Sequence, residues 1–91
     1  IYMIKISLQL TNQLGLHARA SAKFVATASK YLSKIDVCHG KHTVNGKSIM
    51  GIMMIGAKCG SQIDCTIDGE DETELAKALK TLLANKFDEE E

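Results

Sequence analysis

The chain lacks a net charge, a long hydrophobic run and an even number of cysteines. Its 11 basic and 11 acidic side chains balance, which argues against generic nucleic-acid binding. No apolar run approaches the roughly 18 residues that span a bilayer, so direct membrane insertion is not expected. Cys38, Cys59 and Cys65 cannot all pair within one chain, and no apolar secretory segment precedes them. We therefore expect a cytoplasmic protein.

The chain does have enough apolar residues for one modest core. Of its 91 residues, 45% are hydrophobic, which is near the lower limit for folding without disulfides or metals. We therefore expect a single domain over residues 1–91. Met3 is the expected natural start, with Ile1 and Tyr2 preceding it, and the acidic residues 88–91 are expected to form a solvated tail.

Three segments alternate between apolar and polar residues, which is the pattern of a strand with one buried face. Their apolar positions are Ile4, Ile6, Leu8 and Leu10, then Ile35 and Val37, then Ile63, Cys65 and Ile67. Between the second and third segments, His39-Gly40-Lys41-His42 is typical of a hairpin turn. This turn predicts a further short strand near Thr43 and Val44.

Two segments have apolar residues at helical spacing and are predicted to cover the same sheet face. Their apolar positions are Phe24, Val25, Ala28 and Leu32, then Leu75, Leu79, Leu82, Leu83 and Phe87. Asp71 and Glu74 have the spacing of a capping box at the start of the second helix. With a short helix after Ser48, the element order is βαββαβα, an α+β class. That order alone also suits a ferredoxin-like domain with an added helix.

The segment Gly15-Leu16-His17-Ala18-Arg19 places a histidine and an arginine where a turn opens into a helix that runs to about Lys30. Glycine permits the sharp turn, and the first helical N–H groups have no intrahelical acceptor and so favour an anion. A neutral imidazole offers a nucleophilic nitrogen, which the nearby positive charge keeps available. We predict that His17 accepts a phosphoryl group, and that the Arg19 side chain and the N–H groups of Ala18 and Arg19 bind it.

Ser48 directly precedes the apolar segment 49–55 and is predicted to cap a short helix there. Such a helix is too short to bury all of these residues. We therefore expect Ile49, Met50 and Met53 to form an exposed patch beside His17. Methionine is flexible and polarizable, which suits a surface that docks several partners.

Cys38, His39 and His42 are possible metal ligands, but their spacing does not match the common structural zinc sites. They are interpreted as hairpin residues, and no metal site is expected. Cys65 is predicted to lie on the buried face of its strand, and Cys59 in a turn.

The histidine segment and the segment Asn45-Gly46-Lys47-Ser48-Ile49-Met50-Gly51, about thirty residues later, together resemble HPr. This family comprises the histidine-containing phosphocarriers of the bacterial phosphoenolpyruvate-dependent sugar phosphotransferase system. The resemblance runs from Ile4 to about Phe87 and implies an open-faced β-sandwich, in which three helices pack on one face of a four-stranded antiparallel sheet. Ala20 stands where the family often has proline. Alanine makes the backbone here less rigid than proline would, and it has the N–H donor that proline lacks.

The resemblance also implies specific partners. Enzyme I, itself phosphorylated on histidine, would transfer its group to Nδ1 of His17, and enzyme IIA domains would receive it. Ser48 would be a regulatory phosphorylation site, modified by a dedicated HPr kinase/phosphorylase. The implied docking face comprises Leu16, Ala22, Lys23, Ile49, Met50 and Met53. The protein would be a carrier that needs these partners and no cofactor, rather than an enzyme.

Two other functions stay open from the sequence. One is an HPr-like role in a nitrogen-linked or incomplete branch of the phosphotransferase system, with the same His17 chemistry but regulatory targets. The other is a ferredoxin-like module that binds a metabolite or partner without phosphotransfer.

Overall fold

In the computed structural model, which describes residues 3–88, the order of elements is the predicted βαββαβα, followed by a short 3-10 turn. Ile1 and Tyr2, which precede the expected start, and residues 89–91 of the expected tail 88–91 lie outside the described residues, while Asp88 is exposed in a short turn. The elements are β1 (Ile4–Gln9), α1 (Ala18–Ala28), β2 (Lys34–His39), β3 (His42–Asn45), α2 (Ile49–Met54), β4 (Gln62–Asp68), α3 (Glu72–Ala84) and the turn Lys86–Asp88.

The four strands form one antiparallel sheet in the order β1-β4-β2-β3, so the last strand of the chain lies between the first two. Cys65 of β4 is opposite Ile6 of β1 on one side and Val37 of β2 on the other. These apolar residues point to the same face because side chains alternate along a strand. Three helices pack on that face, which confirms the open-faced sandwich.

The predicted alternation accounts for the core. Leu8, Ile35, Val37, Ile63 and Ile67 are buried, and helix residues complete the cluster. The helix residues in the core are Ala20, Phe24, Ala28, Ile52, Leu75, Ala76, Leu79 and Leu83. In residues 3–88, no helix is both long enough and apolar enough to cross a membrane.

Both segments with apolar residues at helical spacing are predicted to be helical further toward the C-terminus than the structure shows. The helix α1 stops at Ala28, short of Lys30, and Leu32 is 87% exposed because it lies in the connection to β2. Phe87 is fully buried, but α3 ends at Ala84 and a left-handed turn brings Phe87 back to the core. In both cases the helix ends before the last apolar residue of the predicted pattern.

The predicted capping box at α3 is also wrong. Asp71 is the N-cap residue, but its side chain makes no capping hydrogen bond. Its carboxylate accepts hydrogen bonds from the backbone N–H groups of Leu32 and Ser33 and from the Ser33 hydroxyl. The Glu72 carboxylate, one residue later, accepts the N–H of Gly69 at 3.1 Å. The side chain that bonds to the backbone before α3 therefore belongs to Glu72, and not to Glu74 as the capping box predicts.

Candidate functional site

The turn that leads into α1 depends on Gly15. This residue has φ +64°, in the left-handed region that favours glycine. A Cβ atom here would stand 2.6 Å from the carbonyl oxygen of Ala57 and 2.8 Å from Cα of Lys58. The next residue, Leu16, donates its N–H to the same Ala57 carbonyl at 3.0 Å. The turn therefore packs directly on the segment that follows α2, as only glycine allows.

Two polar side chains that the sequence analysis did not single out support this turn. The buried side-chain amide of Asn12 donates to the Gly15 carbonyl at 2.8 Å, and the Ser21 hydroxyl donates to the Leu16 carbonyl at 3.2 Å. Both side chains are fully buried. The spacing Asn12-x-x-Gly15 is the one available signal, since asparagine often bonds to nearby turn backbone.

His17 occupies the N-cap position of α1, as the sequence predicts. Its backbone is extended, with φ −78° and ψ −177°, and the residue is half-buried. Its carbonyl accepts the N–H of Ser21 at 2.8 Å, which is the first hydrogen bond of the helix. The ring does not itself cap the helix. The imidazole is therefore held at the positive end of α1 while part of it remains accessible.

The N–H groups of Ala18, Arg19 and Ala20 precede that first hydrogen bond and have no intrahelical acceptor. The first turn contains no acidic residue that would compete for them. Arg19 is exposed and lies one turn or less from His17. The first turn of α1 therefore brings together a histidine at the N-cap, an exposed arginine two residues later and backbone N–H groups without an intrahelical acceptor.

Ser48 caps α2 as predicted, since its hydroxyl accepts the N–H of Gly51 at 3.0 Å. Within this helix only Ile52 is buried. Ile49, Met50 and Met53 are exposed, which confirms that the helix cannot bury all of its apolar residues. Helices α1 and α2 are in contact, so the helix that carries these exposed residues packs against the His17 helix.

The other expected docking residues differ in how far they are exposed. Leu16 is only 5% exposed, so its side chain belongs to the core and not, as expected, to the docking face. Lys23 is half-buried and donates from its ammonium group to the Phe87 carbonyl, which ties α1 to the end of the described chain. Ala22 is exposed on α1.

The three cysteines lie in different surroundings. Burial, with a smaller effect of the nearby Asp64 charge, raises the pKa of the Cys65 thiol to about 12, which keeps it protonated. Cys59 is exposed in a turn, and Cys38 and His39 lie at the end of β2, opposite β3. Among residues 3–88, no group of three or more His, Cys, Asp or Glu side chains is arranged to hold a metal.

The fold and the site together define a small α+β protein that presents a histidine at the N-terminus of a helix. Residues 4–85 match the family model described as the PTS HPr component phosphorylation site. The chain belongs to the HPr phosphocarrier family of the phosphotransferase system.

Individual relatives cover almost the whole chain. The phosphocarrier protein HPr of Neisseria meningitidis serogroup A is 48% identical over 89 residues, which are 98% of this chain and 100% of the relative. That of Xylella fastidiosa is 47% identical, over 97% of this chain and 99% of the relative.

Solved structures of HPr proteins have the same fold as this chain. The crystal structure of HPr-C-His from Thermoanaerobacter tengcongensis has a TM-score of 0.92 and 44% identity, with coverage of 97% of this chain and 99% of that chain. The phosphocarrier protein HPr from Bacillus anthracis has a TM-score of 0.86 and 36% identity, with coverage of 91% and 99%.

Proposed function

We propose that this protein carries a phosphoryl group on His17, which it receives from phosphorylated enzyme I and donates to enzyme IIA domains. The main support is the position of His17 at the N-cap of α1, inside the segment that matches the phosphorylation-site family model. The N–H groups of Ala18 and Arg19 and the Arg19 guanidinium provide donors for the phosphoryl oxygens. The protein acts as a carrier that needs both partners, rather than as a stand-alone enzyme.

The transfer step is an in-line exchange between two histidine rings. The lone pair of the His17 ring nitrogen, proposed to be Nδ1, attacks phosphorus and forms a new P–N bond. The P–N bond to the enzyme I histidine breaks, and the leaving nitrogen keeps the electron pair. One neutral imidazole is consumed and another is released, so the exchange needs no net proton, oxidant or metal redox step.

Such a transfer needs positioning and charge stabilisation more than acid–base catalysis, because its transition state is loose. A helix terminus and one arginine meet this need in a small domain. The half-buried position of His17 also matters, since its ring must contact a donor and then an acceptor. Deep burial of the phosphorylated ring would block the second transfer.

We further propose Ser48 as a regulatory phosphorylation site for an HPr kinase/phosphorylase. Its hydroxyl lies at the N-terminus of α2, where the helix dipole favours added negative charge, so phosphorylation would not unfold the helix. It would instead place about two negative charges beside the apolar patch of Ile49, Met50 and Met53. Those residues, with Ala22 and Lys23, form the proposed docking face, and the added charge would weaken docking of enzyme I.

The first experiment is to incubate the protein with enzyme I, magnesium and phosphoenolpyruvate, followed by intact mass and peptide mapping. We expect one acid-labile phosphoryl group on His17 and none in His17→Ala. The matched control is His42→Ala, because His42 is an exposed histidine that belongs to the β2–β3 hairpin and not to the first turn of α1. If an active enzyme I leaves the wild type unmodified, or modifies His42, the proposal is wrong.

A further inference from the structure

Ala20 gives this helix terminus a backbone donor that a proline would lack. It is the third residue of α1, and it is fully buried. Because its methyl group is covered, water has poor access to this part of the backbone. The residue is therefore a packed core position and also part of the first turn of the His17 helix.

The Ala20 N–H lies where an acceptor on the N-cap side chain is expected to reach. At helix N-termini, such an acceptor bonds to the N–H of the second or third helical residue. In α1 these residues are Arg19 and Ala20, and the ring of the N-cap residue His17 makes no capping bond with either. The Ser21 N–H is already bonded to the His17 carbonyl at 2.8 Å, so it is not available.

We infer that the Ala20 N–H donates a hydrogen bond to the phosphoryl group on His17, as a third backbone donor beside Ala18 and Arg19. This inference rests on the proposed function. A phosphoryl group has three acceptor oxygens, which is enough for three backbone donors and the Arg19 guanidinium to share. Ala20 is thus a positioning residue that stabilises the phosphorylated form.

The consequence is a change in phosphoryl-transfer equilibrium. Each hydrogen bond present only in the phosphorylated form shifts the equilibrium toward it. One hydrogen bond to a charged acceptor, at the lower end of its usual range, corresponds to roughly a tenfold change. A chain with this N–H removed should therefore accept the group from enzyme I with an equilibrium constant lower by about that factor.

The sharpest test replaces the Ala20 amide by an ester, with lactic acid in place of alanine in the full semisynthetic chain. This change removes the N–H and keeps the side chain. The matched control places the same lactic acid at Ala26, an exposed α1 residue whose N–H is bonded within the helix. We expect about a tenfold lower equilibrium constant for transfer from enzyme I in the Ala20 ester, and less than a twofold change in the Ala26 ester.

Nuclear magnetic resonance of the unaltered chain gives a second readout. Amide spectra of the ¹⁵N-labelled protein before and after phosphorylation should show the Ala20 proton moving downfield together with those of Ala18 and Arg19. An unmoved Ala20 amide, or equal equilibrium constants for the two esters, would overturn the inference and leave the phosphocarrier function standing. Failure of the wild type to take up any phosphoryl group, measured by intact mass, would overturn both.

Discussion

At the residue scale, the geometry of His17 depends on a glycine two positions earlier. Gly15 turns the chain with φ +64°, and its Cα faces the backbone of Ala57 and Lys58. The contact is with backbone atoms, so neighbouring side chains cannot move aside to make room. A larger residue must shift the whole turn and, with it, the first residues of α1.

We predict that Gly15→Ala lowers the free energy of unfolding by about 3 kcal/mol, from left-handed strain and overpacking together. It should also slow phosphorylation of His17, because the turn shifts. Urea unfolding and the rate of transfer from enzyme I measure the two effects.

Gly40→Ala is the matched control for this substitution. Gly40 has φ +62°, but a Cβ atom there would meet nothing within 4 Å. This variant should lose only about 1 kcal/mol and keep its transfer rate. Equal losses in the two variants would show that strain, rather than the contact with Ala57, sets the cost at Gly15.

At the element scale, Asp71 joins the start of α3 to the connection between α1 and β2. Its carboxylate accepts the Leu32 N–H at 2.8 Å, the Ser33 N–H at 2.9 Å and the Ser33 hydroxyl at 2.5 Å. The hydroxyl and then the backbone donors hold the pKa of Asp71 below its usual range. This side chain therefore stabilises the fold most when it is ionised.

We predict that Asp71 contributes to acid unfolding. Since its pKa is lower in the folded chain than in the unfolded chain, its stabilisation is present above the unfolded pKa of about 4 and is lost as the pH falls through the folded value. Asp71→Asn should be less stable than the wild type at neutral pH, and the difference should shrink in acid. Urea unfolding at a series of pH values measures it.

The control for Asp71 is Glu74→Gln, an exposed carboxylate in the first turn of the same helix. Its difference from the wild type should stay within about 0.5 kcal/mol at neutral pH. A constant difference between wild type and Asp71→Asn across the acid range would contradict the proposed linkage.

A second contact between elements ties α1 to the chain after α3. Lys86, Phe87 and Asp88 have φ values of 54°, 56° and 60°, so three successive residues adopt a left-handed backbone that costs free energy. Burial of the Phe87 ring and the hydrogen bond from Lys23 to its carbonyl hold this turn in place.

We predict that Lys23→Met lowers the free energy of unfolding by about 1 kcal/mol, because it removes this hydrogen bond and keeps the apolar stem. The control is Lys80→Met, since Lys80 is exposed on α3. It should stay within about 0.5 kcal/mol of the wild type by urea unfolding. Equal effects of the two substitutions would mean that the Lys23 contact does not stabilise the turn.

At the scale of the whole molecule, the packing of three helices on one sheet face leaves α2 half-covered. Ile52 enters the core, while Met50 is 69% exposed and Met54 is 78% exposed. Exposed apolar side chains grouped on one helix favour partner docking. Ile49, Met50 and Met53 are the residues of the proposed docking face on this helix.

We predict that Met50→Gln slows transfer from enzyme I about tenfold, a typical loss for a contact near the centre of an interface. Its free energy of unfolding should change by less than about 0.5 kcal/mol, because the side chain is exposed. Transfer kinetics at subsaturating enzyme I and urea unfolding measure these effects.

Met54→Gln provides the control, since Met54 is more exposed but lies outside the proposed docking face. Its transfer rate should stay close to that of the wild type. Equal rates for the two variants would contradict the assignment of Met50 to the docking face.

The sequence by itself determined the features that depend on residues a few positions apart. Alternation along β1, β2 and β4, the glycine turn before His17 and the Ser48 cap could all be predicted, because strand pleating, backbone freedom and capping act locally. The exposed methionines followed from the same local reasoning, since a short apolar helix has too little surface to bury them all.

Only the tertiary structure decided what depends on distant partners. Periodicity left the strand order open, because β1 pairs with β4, which lies more than fifty residues later. Asp71 bonds to Ser33 instead of capping its own helix, and Leu16 packs into the core. Phe87 reaches the core through a left-handed turn. In each case the burial or hydrogen bonding offered by a remote segment outweighs the local preference, and no short sequence pattern records that competition.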